Sequence, residues 1–444
     1  MGYASKYGRR PQEYASKATH HNIINDKSVA YFLQNCDLPK AAGAVDLNTC
    51  EQITIDEIAQ NPIRSIIAVD GGYTDVFVRK EFPSSTIAFF QFGALAFNLA
   101  DLSEISRSNF IYPEQMAKLK QIERIKLVLP TRAVTAYQAP TLTASIRMTL
   151  HKFFSREPDD GYLYETLKWF IFHEYSEPLN QWTLAGCPLC DARDVVIERS
   201  ALTARYTMPC TNCGGELFLI DVFRLHEAVD DELGAGGILG YVVVLIEQMI
   251  IVNLIKIMLD TKPILLKECL LIKDGPLAFF GQTANMYKPM RNLIDWLIRK
   301  HDLFLVGAEK SGPFVEHADE IANRIQPGNA IVLNNDYIYK YIIPGTADPN
   351  RPYGATTYYG SKIIYKTSSS HMYVLTLPTT RALANPVPVD FHNMASILLN
   401  VARLRCDMYD SSLIPIALVN KLVSLADHPS KKLIERFAQT VVKK

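Results

Sequence analysis

Ser65-Ile66-Ile67-Ala68-Val69-Asp70-Gly71-Gly72 runs four apolar, mostly β-branched residues into an aspartate and then into two glycines. The pattern predicts a buried strand that ends at a tight turn with a carboxylate at its tip. The same grammar returns in Leu270-Leu271-Ile272-Lys273-Asp274-Gly275. Two carboxylates delivered by strand ends suggest one shared site.

Around the first stretch, Ile66–Val69, Thr74–Arg79 and Thr86–Phe92 are separated by Gly71-Gly72 and Pro83-Ser84-Ser85, the spacing of an antiparallel meander opening a mixed sheet. Lys126–Leu129 adds a strand after a helical Pro113–Ile125. From about 140 to 180 the texture is helical, with Leu150, Phe153, Leu163, Leu167 and Phe170 among the expected core positions. Further on, a helix over 286–300 precedes the strand Leu303–Gly307, which leads into Ala308-Glu309-Lys310-Ser311-Gly312. Strands Ile363–Tyr365 and Met372–Thr376 flank a serine-rich turn containing His371. Residues 393–442 are mostly helical, broken near Pro415 and Pro429. Strands interleaved with helices in this way make an α/β fold.

The chain has 444 residues, 48% of them hydrophobic, enough for a large core and more than one folding unit. Lys plus Arg equals Asp plus Glu, 46 each, so no global basic bias announces a nucleic-acid binder and any such contact must use local patches. No apolar signal core follows the N-terminal charges, and Cys36, Cys50, Cys269 and Cys406 are scattered singly; both features suit the cytoplasm. Residues 1–60, with Arg9, Arg10, Lys17, His20 and His21, read as a flexible arm carrying a helix or two, or as an arm that docks a partner. Tyr241–Leu259 approaches the length of a membrane span but is interrupted by Glu247, Gln248, Asn253 and Lys256, which predicts a buried core helix and no membrane.

The most specific motif is Cys187-Pro-Leu-Cys190, nineteen residues, then Cys210-Thr-Asn-Cys213-Gly214-Gly215. Two Cys-x-x-Cys knuckles at this separation match a structural four-thiolate zinc site of the ribbon type, each loop presenting two sulfurs to one tetrahedral ion. Val195–Glu198 and Arg205–Met208 would form the hairpin between them.

Glu247 has Val243, Val244, Ile250 and Ile251 as its helical neighbours, so its carboxylate rises from an apolar surface. A buried carboxylate needs a cation, a donor or a metal. Two readings stay open, a salt bridge to a core lysine or arginine and a metal ligand beside Asp70 and Asp274. Lys310, at a strand end before a glycine, is either a phosphate contact or a solvated lysine. Three carboxylates so placed would suit Mg²⁺ or Mn²⁺, and two such ions about 4 Å apart serve phosphodiester hydrolysis.

Ala68-Val69-Asp70-Gly71, Glu247 within an apolar helix, Leu270–Lys273 running into Asp274-Gly275 with Leu277 beyond, and the strand leading to Lys310-Ser311 together resemble the ordered motifs of the NurA nucleases. The resemblance spans roughly 60–130 and 230–425. It implies a ribonuclease-H-like mixed sheet flanked by helices, a manganese- or magnesium-dependent DNA exo- and endonuclease, a homodimer, and a HerA-like hexameric ATPase as partner. By it Asp70, Glu247 and Asp274 would hold the metal. Gly72 stands where the family has serine. In the family's C-terminal motif Ser412 takes the place of a tyrosine and Asn420 that of a histidine. Asparagine still ligates a hard cation or bonds a phosphate, but donates no proton as imidazolium does. The expected organisation is an arm (1–60), a nuclease core (61–134 and 226–444) and an insertion (135–225) holding the zinc ribbon (187–213). The expected function is metal-dependent DNA cleavage, in end processing or anti-phage defence. The rival is a non-catalytic DNA-binding or assembly subunit that keeps the nuclease fold.

Overall fold

A computed structural model of the chain describes residues 19–55, 60–100, 120–155, 162–406, 408–409, 411–426 and 429–442. Its centre is a nine-stranded mixed sheet in the order β1-β11-β12-β13-β10-β9-β2-β3-β4. Strands β2 (Ser65–Arg79), β3 (Ser85–Asn98) and β4 (Lys120–Arg132) form the expected antiparallel meander. Strands β9 (Cys269–Asp274) and β10 (Phe304–Glu309) then run parallel to β2. Strands β13 (Met372–Pro378), β12 (Gly360–Lys366), β11 (Asn329–Val332) and β1 (Glu51–Thr54) complete the sheet with antiparallel pairings.

The period-2 alternation of β2 sends Ile67 and Val69 to one face and Ile66 and Ala68 to the other. Both faces are covered, which is why these strands read as continuous apolar runs. On the first face lie helices α3 (Leu142–Phe154), α4 (Tyr162–Ile171), α5 (Leu239–Thr261) and α6 (Tyr287–Lys300). The five core positions expected between 140 and 180 are all buried there. On the second face lie α9 (Met394–Arg403) and α10 (Ile414–Val423), the latter with Pro415 in its first turn, where a missing N–H costs nothing. Helices α7 (Pro313–Ile321) and α8 (Asn335–Tyr341) pack at the β11 end, and α11 (Ser430–Val442) lies against Val76 and Val78. The stretch Gly236–Thr261, which contains α5, is long and apolar enough to cross a membrane by length and composition, yet 78% of its most apolar window is buried in the chain's own core.

Four expectations are corrected. The chain does not turn at Gly71-Gly72, because β2 continues unbroken through both to Arg79, placing Asp70 inside a strand. Both glycines are there for space: a Cβ on Gly71 would lie 2.7 Å from the Phe92 ring, and one on Gly72 would lie 3.2 Å from the Val423 carbonyl of α10. The expected helix Pro113–Ile125 is already strand from Lys120, paired with β3, and its 113–119 part lies outside the described residues. Val195–Glu198 does not pair with Arg205–Met208. Strand β6 (Arg193–Glu198) pairs with β5 (Gln181–Gly186), and β7 (Thr207–Pro209) with β8 (Glu216–Phe218), so each knuckle is the turn of its own hairpin. The segment 1–60 is more than an arm, because β1 pairs with β11, while Val45, Leu47 and Cys50 join the core under α7. Ahead of it, α1 (Thr19–Ile24) and α2 (Lys27–Gln34) leave Ile23, Ile24, Tyr31, Phe32 and Leu33 exposed, and Arg9, Arg10 and Lys17 lie outside the described residues.

Candidate metal and phosphodiester site

Parallel register sets Val69 beside Lys273 and Ala308 beside Asp274. Strand β9 stops at Asp274 while β2 runs on, so a notch opens between β2 and β10 with Asp70 on one wall. The chain leaves β9 through Gly275 (φ +82°), whose N–H donates to the Ala308 carbonyl at 2.7 Å. It can cross β10 there because Gly307 has no side chain: a Cβ would sit 2.6 Å from the Gly275 carbonyl.

Asp70 continues the Ile66–Ala68 face, under α10, and is 2% exposed. Its Oδ1 accepts from the Gly71 N–H at 2.8 Å, whereas its Oδ2 is buried without a hydrogen-bond partner. Burial raises its pKa well above the ordinary carboxylate range, the Asp274 and Glu247 charges add to the rise, and Lys310 opposes it. The Asp274 carboxyl lies close enough to share a proton with Asp70, and two ionised acceptors in that position repel each other.

Glu247 approaches from the opposite face. Its Oε2 meets Lys273 Nζ at 2.7 Å, both side chains almost wholly buried. The salt-bridge reading of this glutamate is therefore realised, with a lysine that alternation places on the α5 face of β9. Even so, burial pushes Glu247 up to about 7 against the pull of Lys273. A Cβ on Gly71 would come within 3.2 Å of Glu247 Oε1, so this glycine lets the two faces meet around the sheet. Lys310 Nζ pairs with Asp274 Oδ2 at 2.6 Å. Burial lowers its pKa, but Asp274, Asp70 and Glu247 outweigh that and hold it above the usual lysine value.

Asp70, Glu247, Asp274 and Lys310 thus form one electrostatic cluster. Asn420 is not among the carboxylates: exposed on α10, it lines a neighbouring cleft together with Lys310, Ser412 and Lys421. Helix α10 is held down on the sheet by Gly93, whose Cβ would meet Val423 at 2.9 Å, and by Gln91, whose side-chain amide donates to the Leu422 carbonyl. Lys273, Gln91 and Gly93 were missed as site-builders. Lys273 alone carried a signal, a charge in the middle of an apolar strand, which demands a buried partner.

Among the described residues, Cys187, Cys190, Cys210 and Cys213 form a group whose Sγ atoms all lie within 4.8 Å of one another; the three carboxylates form no such group as they stand. The knuckles are built alike. The Leu189 N–H donates to Cys187 Sγ and the Asn212 N–H to Cys210 Sγ, each at 3.4 Å, and the Asn212 side-chain amide reaches across to Cys190 Sγ at 3.3 Å. That amide and the Ala192 N–H draw Cys190 down to about 7, while burial pushes Cys187 up to about 12. N–H groups aimed at sulfur stabilise thiolates, the ligand form of cysteine. The module is tied to the body through Asp221, which takes a bidentate pair from Arg147 of α3 at 2.8 and 2.7 Å.

No protein-family model matches the chain, and no match is found among curated proteins. Among solved structures, the NurA nuclease from Sulfolobus solfataricus aligns with 97% of this chain and 98% of its own, at 7% identity and a TM-score of 0.34.

Proposed function

We propose that the chain is a divalent-metal-dependent DNA nuclease that hydrolyses phosphodiester bonds, with a structural zinc in its four-cysteine module. The observation that carries this reading is the buried, unpartnered Oδ2 of Asp70, set against the Asp274 carboxyl with Glu247 behind it. Such a pair is relieved by a shared proton or by a hard cation, and oxygen donors fit Mg²⁺ or Mn²⁺. Asp70 and Asp274 would hold the ion, with Glu247 completing the set once Lys273 yields. When bound, the ion supplies a Lewis acid that polarises the phosphate and makes bound water nucleophilic at neutral pH. Lys310 exchanges its pairing with Asp274 for a phosphate oxygen. Asn420 donates its amide to the strand but moves no proton.

The sequence resemblance to NurA supports DNA as substrate, a homodimer, a HerA-like hexameric ATPase as partner, and a cytoplasmic place in end processing or anti-phage defence. A non-catalytic DNA-binding or assembly subunit is the second reading. It is favoured by the internal neutralisation of Glu247 and Asp274 by Lys273 and Lys310, and by asparagine at position 420. Linear and circular DNA, offered with Mn²⁺, with Mg²⁺ or with no added cation, decides between them. The nuclease reading expects cleavage that needs the cation and falls at least a hundredfold in Asp70→Asn, whose thermal midpoint and zinc content stay unchanged. Equal cleavage by that variant, or none by the parent chain under any condition, rejects it.

A further inference from the structure

Lys273 stands one residue before Asp274 in β9, yet its side chain is buried like those of Leu271 and Ile272. Asp274 continues the Leu270–Ile272 face toward Asp70, so alternation sends Lys273 to the other face, where α5 carries Glu247. An ammonium held there is out of reach of bulk water and must be met by protein acceptors. Two are in place, Glu247 Oε2 at 2.7 Å and the Asp274 carbonyl. The ammonium also lies against the turn that follows: a Cβ on Gly275 would touch Nζ at 3.6 Å.

Glu247 is set between two demands. Its Oε2 faces Lys273, while the Gly71 N–H that donates to Asp70 Oδ1 also lies within reach of the Glu247 carboxylate. One carboxylate thus links the ammonium to the Asp70–Asp274 pair. A dication seated on that pair would compete with Lys273 for Glu247, and the two positive charges would repel each other. Lys310, which holds Asp274, is 35% exposed and can swing into water, whereas the Lys273 side chain, 2% exposed, has no such exit.

We infer that Lys273 is a positioning residue of the metal site: its ammonium is the resident counter-ion of Glu247, keeping the empty chain folded and withholding this third carboxylate, so that the Lys273–Glu247 pair sets how tightly Mn²⁺ or Mg²⁺ is held. The inference rests on the metal site proposed above and on no DNA chemistry.

Calorimetric titration of the zinc-loaded chain with Mn²⁺, at one fixed pH and without DNA, tests it. The thiolates keep their zinc, because Mn²⁺ prefers oxygen. Lys273→Met should bind Mn²⁺ at least about tenfold tighter than the parent, since Glu247 is released to the ion. The gain should vanish in Lys273→Met/Glu247→Gln, which has no carboxylate left to release. Mn²⁺ should also raise the thermal midpoint of Lys273→Met further than that of the parent, whose ammonium already fills the role.

Parent-like Mn²⁺ affinity in Lys273→Met overturns the inference, as does a gain that survives Glu247→Gln, or no Mn²⁺ binding by the parent or any variant. Where Lys273→Met does not fold, Lys273→Gln, which keeps a donor for the Asp274 carbonyl, replaces it in the cycle. Folding of these variants restored by Mn²⁺ supports the inference; failure of both to fold with or without Mn²⁺ overturns it. The two readings fail separately. A chain that obeys the cycle but never cuts DNA keeps the counter-ion and loses the nuclease; one that cuts DNA, with Mn²⁺ affinity unmoved by Lys273→Met, does the reverse.

Discussion

Lys273 and Glu247 are a buried ion pair, and removing one member of such a pair leaves the other charge stranded in low dielectric. Lys273→Met should therefore cost about 3–5 kcal/mol in urea unfolding at pH 8, and Glu247→Gln added to it should recover much of the loss. A single variant within about 1 kcal/mol of the parent would show that water reaches the pair. At the other end of the sheet, His317 Nε2 pairs with the Tyr337 hydroxyl at 2.8 Å, and burial lowers its pKa from the ordinary 6.5 to about 4. The folded chain keeps this ring neutral while the unfolded chain takes a proton below about 6.5. Its contribution is present above 6.5 and is lost as pH falls toward 4. His317→Gln should flatten that limb of the stability profile, measured as thermal midpoint against pH; an unchanged limb would mean that the ring titrates alike in both states.

Among the elements, the hairpins β5–β6 and β7–β8 are too short to persist on their own strand pairing. Leu184, Val195, Ile197 and Leu217 join the main core, but the knuckles hold the two turns together only if the four sulfurs share an ion. The purified chain should carry about one zinc. Cys187→Ser should lose it, lower the thermal midpoint and open 181–218 to protease; a metal-free parent chain with an equally stable module would refute the assignment. Strand β2 carries a different lesson. Its glycines were legible as a break in an apolar run, but glycine marks either a turn or a close approach, and only the elements stacked on it, Phe92 and α10, distinguish the two.

At the scale of the molecule, the sheet closes at one edge with β1, which comes from the N-terminal segment. Arg324 of the body donates to the carbonyls of Ala42 and Val45, at 2.8 Å in the first case and 2.5 Å in the second, and so anchors the chain just ahead of that strand. Helix α2 by contrast buries none of its side chains. Deleting residues 1–38 should leave the thermal midpoint unchanged. Deleting 1–55 should lower it and promote aggregation, by baring β11 as an edge strand and opening the core beneath α7. Equal behaviour of the two truncations, in thermal unfolding and light scattering, would show that β1 adds nothing.

What the sequence by itself determined is local: the two apolar strands that carry Asp70 and Asp274, the amphipathic and buried helices, and the paired cysteine knuckles whose spacing names their chemistry. Period-2 and period-3.6 patterns and short-loop geometry are properties of neighbouring residues, so they can be read from order alone. Tertiary structure decided the rest. Parallel register brought Asp70 beside Asp274. Alternation across β9 turned Lys273 toward Glu247, and missing side chains at Gly71 and Gly72 of β2 and Gly93 of β3 let α5 and α10 close on the two faces of the sheet. Pairing across hundreds of residues leaves little trace in either partner's own neighbourhood, because a strand edge or a helix face accepts many partners until the whole chain has packed.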